Sequence, residues 1–297
     1  MGLFKKISTL VSAVTMAVVL IFVSGSFGAE FRALPQPGIY KEAANVAEAF
    51  VDEELVYKIG FWLFDDVAEG VLTLKAGENG EYIATLNAYT TGVVDTLLRH
   101  RKDIYVAHLV LADGGRRFIS KRFEKRIEMD GKKKTSITVI DYDKREIRWT
   151  STETGKDNKS GSNPIPPGIY ADGPLAAFYN FRYGVYGPIK EDTEYKILTF
   201  PKEDHVPEIY LKIAAKDEMA KRVRSAKERR AADMLADVRL DKELFGSQTG
   251  NVEILFSDDM VPVVAVAKDL VLFGDVRGRL VRIGLGMNMR KTSVMGK

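Results

Sequence analysis

The chain has 297 residues, 44 Lys and Arg against 41 Asp and Glu, and a formal net charge of +3. That length can bury a core sufficient for folding without crosslinks. The absence of cysteine excludes disulfides, thiolate metal sites, cysteine nucleophiles and an acylated-cysteine lipoprotein, and the near-balanced charge makes no case for a nucleic-acid partner.

In chain order, Lys5 and Lys6 precede an apolar run from Ile7 to Val23, and the small residues Ser24-Gly25-Ser26 follow. Charged, apolar, then small is the plan of a secretory signal peptide. Ser26 at −3 and Gly28 at −1 place the cut before Ala29, so residues 1–28 are expected to be removed in the periplasm. The alternative is a retained anchor, for which the run sits at the short edge of the roughly 17–25 residues a spanning helix needs. After cleavage no permanent membrane anchor is expected, because later apolar stretches such as Val261 to Phe273 are too short or interrupted by charge.

Residues 29–52 read as an irregular leader with Pro35 and Pro37, then a short helix within Tyr40 to Val51 on the spacing of Ala44, Val46, Ala47 and Phe50. From Glu54 the period becomes two: Leu55, Tyr57, Ile59, Phe61 and Leu63 share one strand face. A second run, Val71 to Leu74, follows Gly70. Glu78-Asn79-Gly80 signals a hairpin into Glu81 to Tyr89. Val93 to His100 suits a short helix and Ile104 to Leu111 a strand, turned by Asp113-Gly114-Gly115. Arg116 to Met129 and Lys134 to Tyr142 flank a second hairpin signal, Asp130-Gly131. Glu146 to Thr150 is a short strand, and Ser151 to Pro167, dense in small polar residues, reads as a loop.

Asp172-Gly173-Pro174 then opens a helix, with Asp172 as the expected N-cap and Pro174 in the first turn. Leu175, Phe178, Tyr179 and Arg182 share one face; Gly184, Gly187 and Pro188 end the helix. Strands resume at Thr193 to Phe200, Glu208 to Ala214, Asn251 to Phe256, Val261 to Phe273 and Arg277 to Leu285. Between them, Lys216 to Arg229 is predicted helical and the following residues a strand into Leu240. Many short strands at close spacing predict a mainly β, antiparallel domain over residues 53–290.

Three stretches carry a resemblance. They are Glu54-Leu55-Val56-Tyr57 with Gly70; Pro167-Gly168-Ile169-Tyr170 with Asp172, Leu175, Tyr179, Arg182 and Gly187; and Val252 to Asp259, including Ser257 and Asp258, with Val261-Pro262-Val263 and Gly274. In that order and spacing the chain resembles the periplasmic family catalogued as domain of unknown function 3108. Members usually carry a tryptophan or similar large residue before the Ser-Asp pair, where this chain has Leu255-Phe256. The resemblance implies an envelope β-protein with a curved half-barrel or β-spiral sheet and one or two short helices on its concave side. It brings no catalytic residues.

The residues themselves favour no enzyme. His100, His108 and His205 lack metal-ligand spacing, so neither metal nor cofactor is expected. His108 shares a strand face with Val106 and Val110 and reads as structural. Gly161-Ser162-Asn163 lacks the strand–turn–helix setting of a nucleophile elbow. Gly131 to Thr135 lacks the upstream glycine of a phosphate loop. Adjacent acids such as Asp258-Asp259 read as turn residues. Arg182 is expected to be drawn inward to a carboxylate from elsewhere, such as Asp258, or to recognise an anionic head group. Basic clusters at Arg116 to Lys134 and Lys216 to Arg230 read as solvated faces, with anionic lipid as the alternative. Tyr57, Phe61, Phe178, Tyr179 and Arg182 are the candidate ligand-binding residues; Asp172, Gly187, Ser257, Asp258, Pro262 and Gly274 are the structural ones. The leading functional expectation is a non-enzymatic periplasmic protein that binds a lipid or other amphiphile. The alternatives are a module docking to an outer-membrane or cell-wall protein and, last, an Asp/Glu hydrolase.

Overall fold

The structure, a computed structural model, describes residues 43–61, 64–97, 99–201, 206–240, 249–270 and 274–284. The proposed signal peptide, most of the leader, Trp62, Leu63, His205 and the end of the Val261 to Phe273 run lie outside the described residues.

Among the described residues, fourteen antiparallel strands form an open curved sheet. They are β1 (Glu54–Phe61), β2 (Phe64–Ala76), β3 (Tyr82–Thr90), β4 (Lys102–Ala112), β5 (Arg117–Met129), β6 (Lys132–Asp141), β7 (Glu146–Glu153), β8 (Lys159–Pro164), β9 (Glu194–Leu198), β10 (Glu208–Ile213), β11 (Met234–Arg239), β12 (Asn251–Phe256), β13 (Pro262–Leu270) and β14 (Gly274–Gly284). One run is ordered β2 to β8 and the other β1-β14-β13-β12-β11-β10-β9, so nearly every pairing joins sequence neighbours. The exception is β1 with β14, which brings Glu54 opposite Gly284 and Phe61 opposite Val276. Leu55, Tyr57 and Ile59 are buried on one face of β1, as the alternation predicts. The two hairpin signals hold: Asn79-Gly80 and Asp130-Gly131 all have positive φ, the geometry of the tight turns that match strand twist.

Short helices accompany the sheet: α1 (Val46–Phe50), α2 (Gly92–Leu97), α3 (Pro174–Tyr183), α4 (Lys216–Arg222) and α5 (Ala226–Ala231). Asn45 caps α1 by accepting the Glu48 N–H at 2.9 Å. The predicted helix over Lys216 to Arg229 is two helices instead. Val223 takes an extended conformation, and the Ser225 side chain caps the second. The predicted strand into Leu240 is β11.

α3 packs against the concave face. Leu175 to Arg182 are all buried, so the helix is enclosed on every side rather than along a stripe. It joins Phe50, Tyr57, Phe118, Leu211, Val252 and Val264 in one core. Gly184, at φ 82°, ends it in the left-handed conformation.

Two expectations are corrected here. Ser151 to Pro167 is not a loop: β7 runs on to Glu153, and Lys159 to Pro164 forms β8, in register with Glu146 to Ser151. Its alternation is between half-buried and exposed polar residues, which hydrophobic periodicity does not register. Asp172 is not the N-cap of α3. Gly173 occupies that position, one residue before the proline, and the Asp172 side chain turns to partners on β5 and beyond the helix.

Candidate functional site

Three side chains fix the plug formed by α3. At its C-terminal end, Arg182 Nη1 and Nη2 donate to the two carboxylate oxygens of Glu53, each at 2.7 Å, and Nε donates to the Met260 carbonyl at 2.8 Å. Both side chains are about fully buried, and the guanidinium lies over the Phe50 and Phe178 rings at 4.5 and 5.0 Å. The partner is therefore Glu53 and not Asp258, which is exposed in a turn. Glu53 sits between α1 and β1, where no periodic pattern marks it.

Midway, Asn180 forms a two-bond clip to the backbone of β5. Its Nδ2 donates to the Phe118 carbonyl and its Oδ1 accepts the Phe118 N–H, both at 2.8 Å. β6 pairs with β5 only from Arg122 onward, so Phe118 has that side of its backbone free for the amide. Nothing in the sequence singled out Asn180. At the N-terminal end, Asp172 Oδ2 accepts from Arg117 Nη2 at 2.8 Å and from the Tyr186 hydroxyl at 2.5 Å. Arg117 lies between the Tyr170 and Tyr186 rings, 4.9 and 5.4 Å from their centroids. Burial, with the Asp172 carboxylate beside it, pushes the Tyr186 phenol well above its ordinary range.

The structural candidates fall into place around this frame. Tyr57 donates to the Pro262 carbonyl at 3.2 Å. Ser257 Oγ accepts the Val261 N–H at 3.2 Å and closes the turn that exposes Asp258. Gly274 (φ 65°) and Gly187 (φ 121°) take conformations that favour glycine. Of the ligand-binding candidates, Phe178, Tyr179 and Arg182 lie together on the plug, and Tyr57 lies in the same core. Phe61, half-buried at the end of β1, packs on the margin of that core and against Phe64. His108 faces the convex side, 3.3 Å from Glu81. The basic clusters are largely ion-paired: Glu124 holds Arg122 and Arg126, and Arg222 reaches Glu218, Asp237 and Glu253.

The concave wall changes character along its length. Cross-strand partners share a face, so the register traces rows across it. One row runs Leu72, Leu86, Tyr105, Lys125, Ser136, Ser151, Lys159; the next runs Ala84, Ala107, Phe123, Thr138, Trp149, Gly161. Leu72, Leu86, Ala84, Ala107 and Tyr105 are buried, whereas Lys125, Ser136, Thr138, Trp149 and Ser151 are half-buried. Between β5 and β8 these two rows thus make a half-buried polar trough, bounded on the same face by a second core in which Ile140 and Ile147 are buried with Ile165 and Ala171. Trp149 lies against Gly161: a Cβ there would meet three indole atoms at 2.8–3.0 Å, so the glycine lets the ring lie flat on β8. Lys125 Nζ stands 5.5 Å from the Tyr105 centroid, and burial, opposed by the charge of Asp103, depresses its pKa to about 8. In the sequence the trough is marked by one signal alone, a tryptophan amid alternating polar residues, because β8 has no apolar face. Among the described residues no cluster of His, Asp or Glu is arranged to hold a metal.

These features define a class: an open, curved antiparallel sheet with one half plugged by a clamped helix and, on the other half, a half-buried polar trough beside a small second core. The family model for a protein of unknown function, DUF3108, matches residues 56–281, and the chain belongs to that family. Among solved structures, it is similar to a β-barrel-like protein of domain of unknown function DUF1849 from Brucella abortus. The two are 10% identical with a TM-score of 0.44, over 80% of this chain and 99% of that one. No curated protein matches the sequence.

Proposed function

We propose that the protein is a non-enzymatic binding protein of the periplasm, exported by residues 1–28 and taking up a lipid or other amphiphilic envelope component. The observation that supports this is the divided concave wall. An amphiphile has one polar and one apolar part, and the trough offers Lys125, the hydroxyls of Ser136, Thr138 and Ser151, and the Trp149 ring where it meets buried Tyr105 and Phe123. The ligand contacts belong to the trough and not to Tyr57, Phe178, Tyr179 and Arg182. Those four are packed in the core, and the Arg182 guanidinium is held by Glu53.

Native mass spectrometry of protein purified from its periplasm tests the reading. A bound amphiphile is expected, together with uptake of a fluorescent fatty acid that falls on Trp149→Ala or on Gly161→Val, which drives the indole from its seat. Protein that is ligand-free in every preparation and takes up no probe would sink it.

A further inference from the structure

Tyr105 and Lys125 are cross-strand partners on β4 and β5, where the apolar core meets the trough. The Tyr105 side chain is fully buried, and its hydroxyl has no hydrogen-bond partner. A buried hydroxyl without an acceptor is unfavourable, and beside a binding trough it marks where a ligand oxygen is received. Lys125 Nζ stands 5.5 Å from the centroid of the same ring, so one head group can span the ammonium and the hydroxyl. Burial depresses the lysine pKa to about 8 in spite of the Asp103 carboxylate. An anion brought beside the amine restores its charged form.

The charges around this point favour an anion. Three concave rows meet here: Asp103, Ile127, Lys134 and Glu153 in the first, the row of Tyr105 and Lys125 in the second, and the row of Phe123 and Trp149 in the third. Both carboxylates stand in the first row, and both are held. Asp103 accepts from Arg101 Nη2 at 2.6 Å, with both side chains buried, and Glu153 lies 3.9 Å from Lys134 and pairs with Lys156. The second row carries Lys125 and Lys159 and no acid, and the third carries no charge. Among the described residues, these rows together with Arg101 thus hold four cations against two acids. The buried acids beside α3, Glu53 and Asp172, are held by Arg182 and Arg117. The inward faces of β9 to β11 carry Tyr195, Ile197, Ile209, Leu211, Ala236 and Val238, none of them charged.

We propose that Lys125 and Tyr105 form the head-group subsite of the trough, and that the head group is a carboxylate or a phosphate. The ammonium meets the anion, and the phenol donates to one of its oxygens. Ser136, the cross-strand neighbour of Lys125 on β6, offers a further hydroxyl. The apolar part of the ligand lies toward Phe123 and the Trp149 ring in the adjoining row. The subsite rests on the amphiphile reading above and goes further in fixing the charge of the head group.

Decanoate, decyl phosphate and decanol share one chain length and differ in head group. Each is titrated calorimetrically into the full chain at about pH 7, where a carboxylic acid is ionised and Lys125 is charged. The two anions are expected to bind tighter than decanol by roughly tenfold or more. Lys125→Met is expected to remove that preference by weakening the anions and sparing decanol. Lys125→Arg is expected to keep most of it, and Tyr105→Phe to weaken the anions severalfold; a urea transition for each variant shows that it folds. Acetate and inorganic phosphate separate the sources, and both are expected to bind far more weakly than their decyl counterparts. Inorganic phosphate bound as tightly as decyl phosphate overturns the amphiphile and with it the head-group assignment. Decanol bound as tightly as decanoate, or a preference unchanged in Lys125→Met, overturns the subsite and leaves the amphiphile reading standing. Failure of all three decyl probes to bind the parent overturns both.

Discussion

At the scale of single residues, the ion pair of Arg182 and Glu53 is tied from three directions, and burial makes its loss costly. Removing one member leaves the other charged without its partner, at about 3–5 kcal/mol. Removing both together leaves no uncompensated charge. Glu53→Leu and Arg182→Met are therefore each expected to lower the urea midpoint strongly, and the double variant to lie above either single one; a double variant at the sum of the two losses would show that packing, not charge, dominates. Lys125 carries a different prediction. Its folded-state pKa is depressed to about 8, so the unfolded chain holds the proton more tightly. Below about pH 8 both states are protonated and the cost of burying the ammonium is present in full. From there to the ordinary lysine value the unfolded state binds more protons, so stability rises with pH. Lys125→Met is accordingly expected to be more stable than the parent at about pH 7, by a margin that narrows toward pH 10. Urea midpoints across that range check it, and a constant margin would mean that the amine titrates normally.

At the scale of elements, Gly173 decides how closely α3 approaches the sheet. Its φ of −66° suits any residue, so the cost of a side chain there is one of contact alone. A Cβ would stand 2.7 Å from Phe200 Cζ and 2.9 Å from Ser120 Oγ. Gly173→Ala is expected to cost about 1–3 kcal/mol, measured by denaturation, and Phe200→Leu in the same chain to recover part of it; an alanine variant as stable as the parent would show that the ring moves aside freely. The same contrast explains what was legible. Elements that alternate apolar and polar residues, or end at Asn-Gly and Asp-Gly, were readable: β1, β3, β4, β12 and both hairpins. α3 was readable from Pro174 and its apolar content. β8 was not, because Lys-Ser-Gly-Ser-Asn-Pro has no apolar face and its place is set by pairing with β7. Asp172 departs from its capping preference because that preference is local, whereas its carboxylate answers to Arg117, far away in sequence. Glu53 and Asn180 act through single long-range contacts, which leave no periodic trace.

At the scale of the whole molecule, the meander has two edge strands, β8 and β9, and the chain between them is the segment that carries α3. Leaving one edge, crossing the concave side as a helix and returning to the other edge places the plug inside the curve. The seam is tied by Asn163 Nδ2, which donates to the Pro201 carbonyl at 3.0 Å, and by the Asp172 N–H, which donates to the Leu198 carbonyl at 3.0 Å. Continuity on the opposite side depends on β14, the strand that lies between β1 and β13 and joins chain positions as far apart as Glu54 and Arg282. Such a pairing is closed late, since loop entropy opposes it until the flanking strands have formed. Deleting β14 also removes the buried side chains of Val276 and Leu280. A chain ending at Phe273 is therefore expected to keep β signal in the far ultraviolet, bind a hydrophobic dye and lose its sharp urea transition. A cooperative transition with the denaturant slope of the full chain would show instead that β1 closes directly onto β13 and that the curvature does not depend on the fourteenth strand.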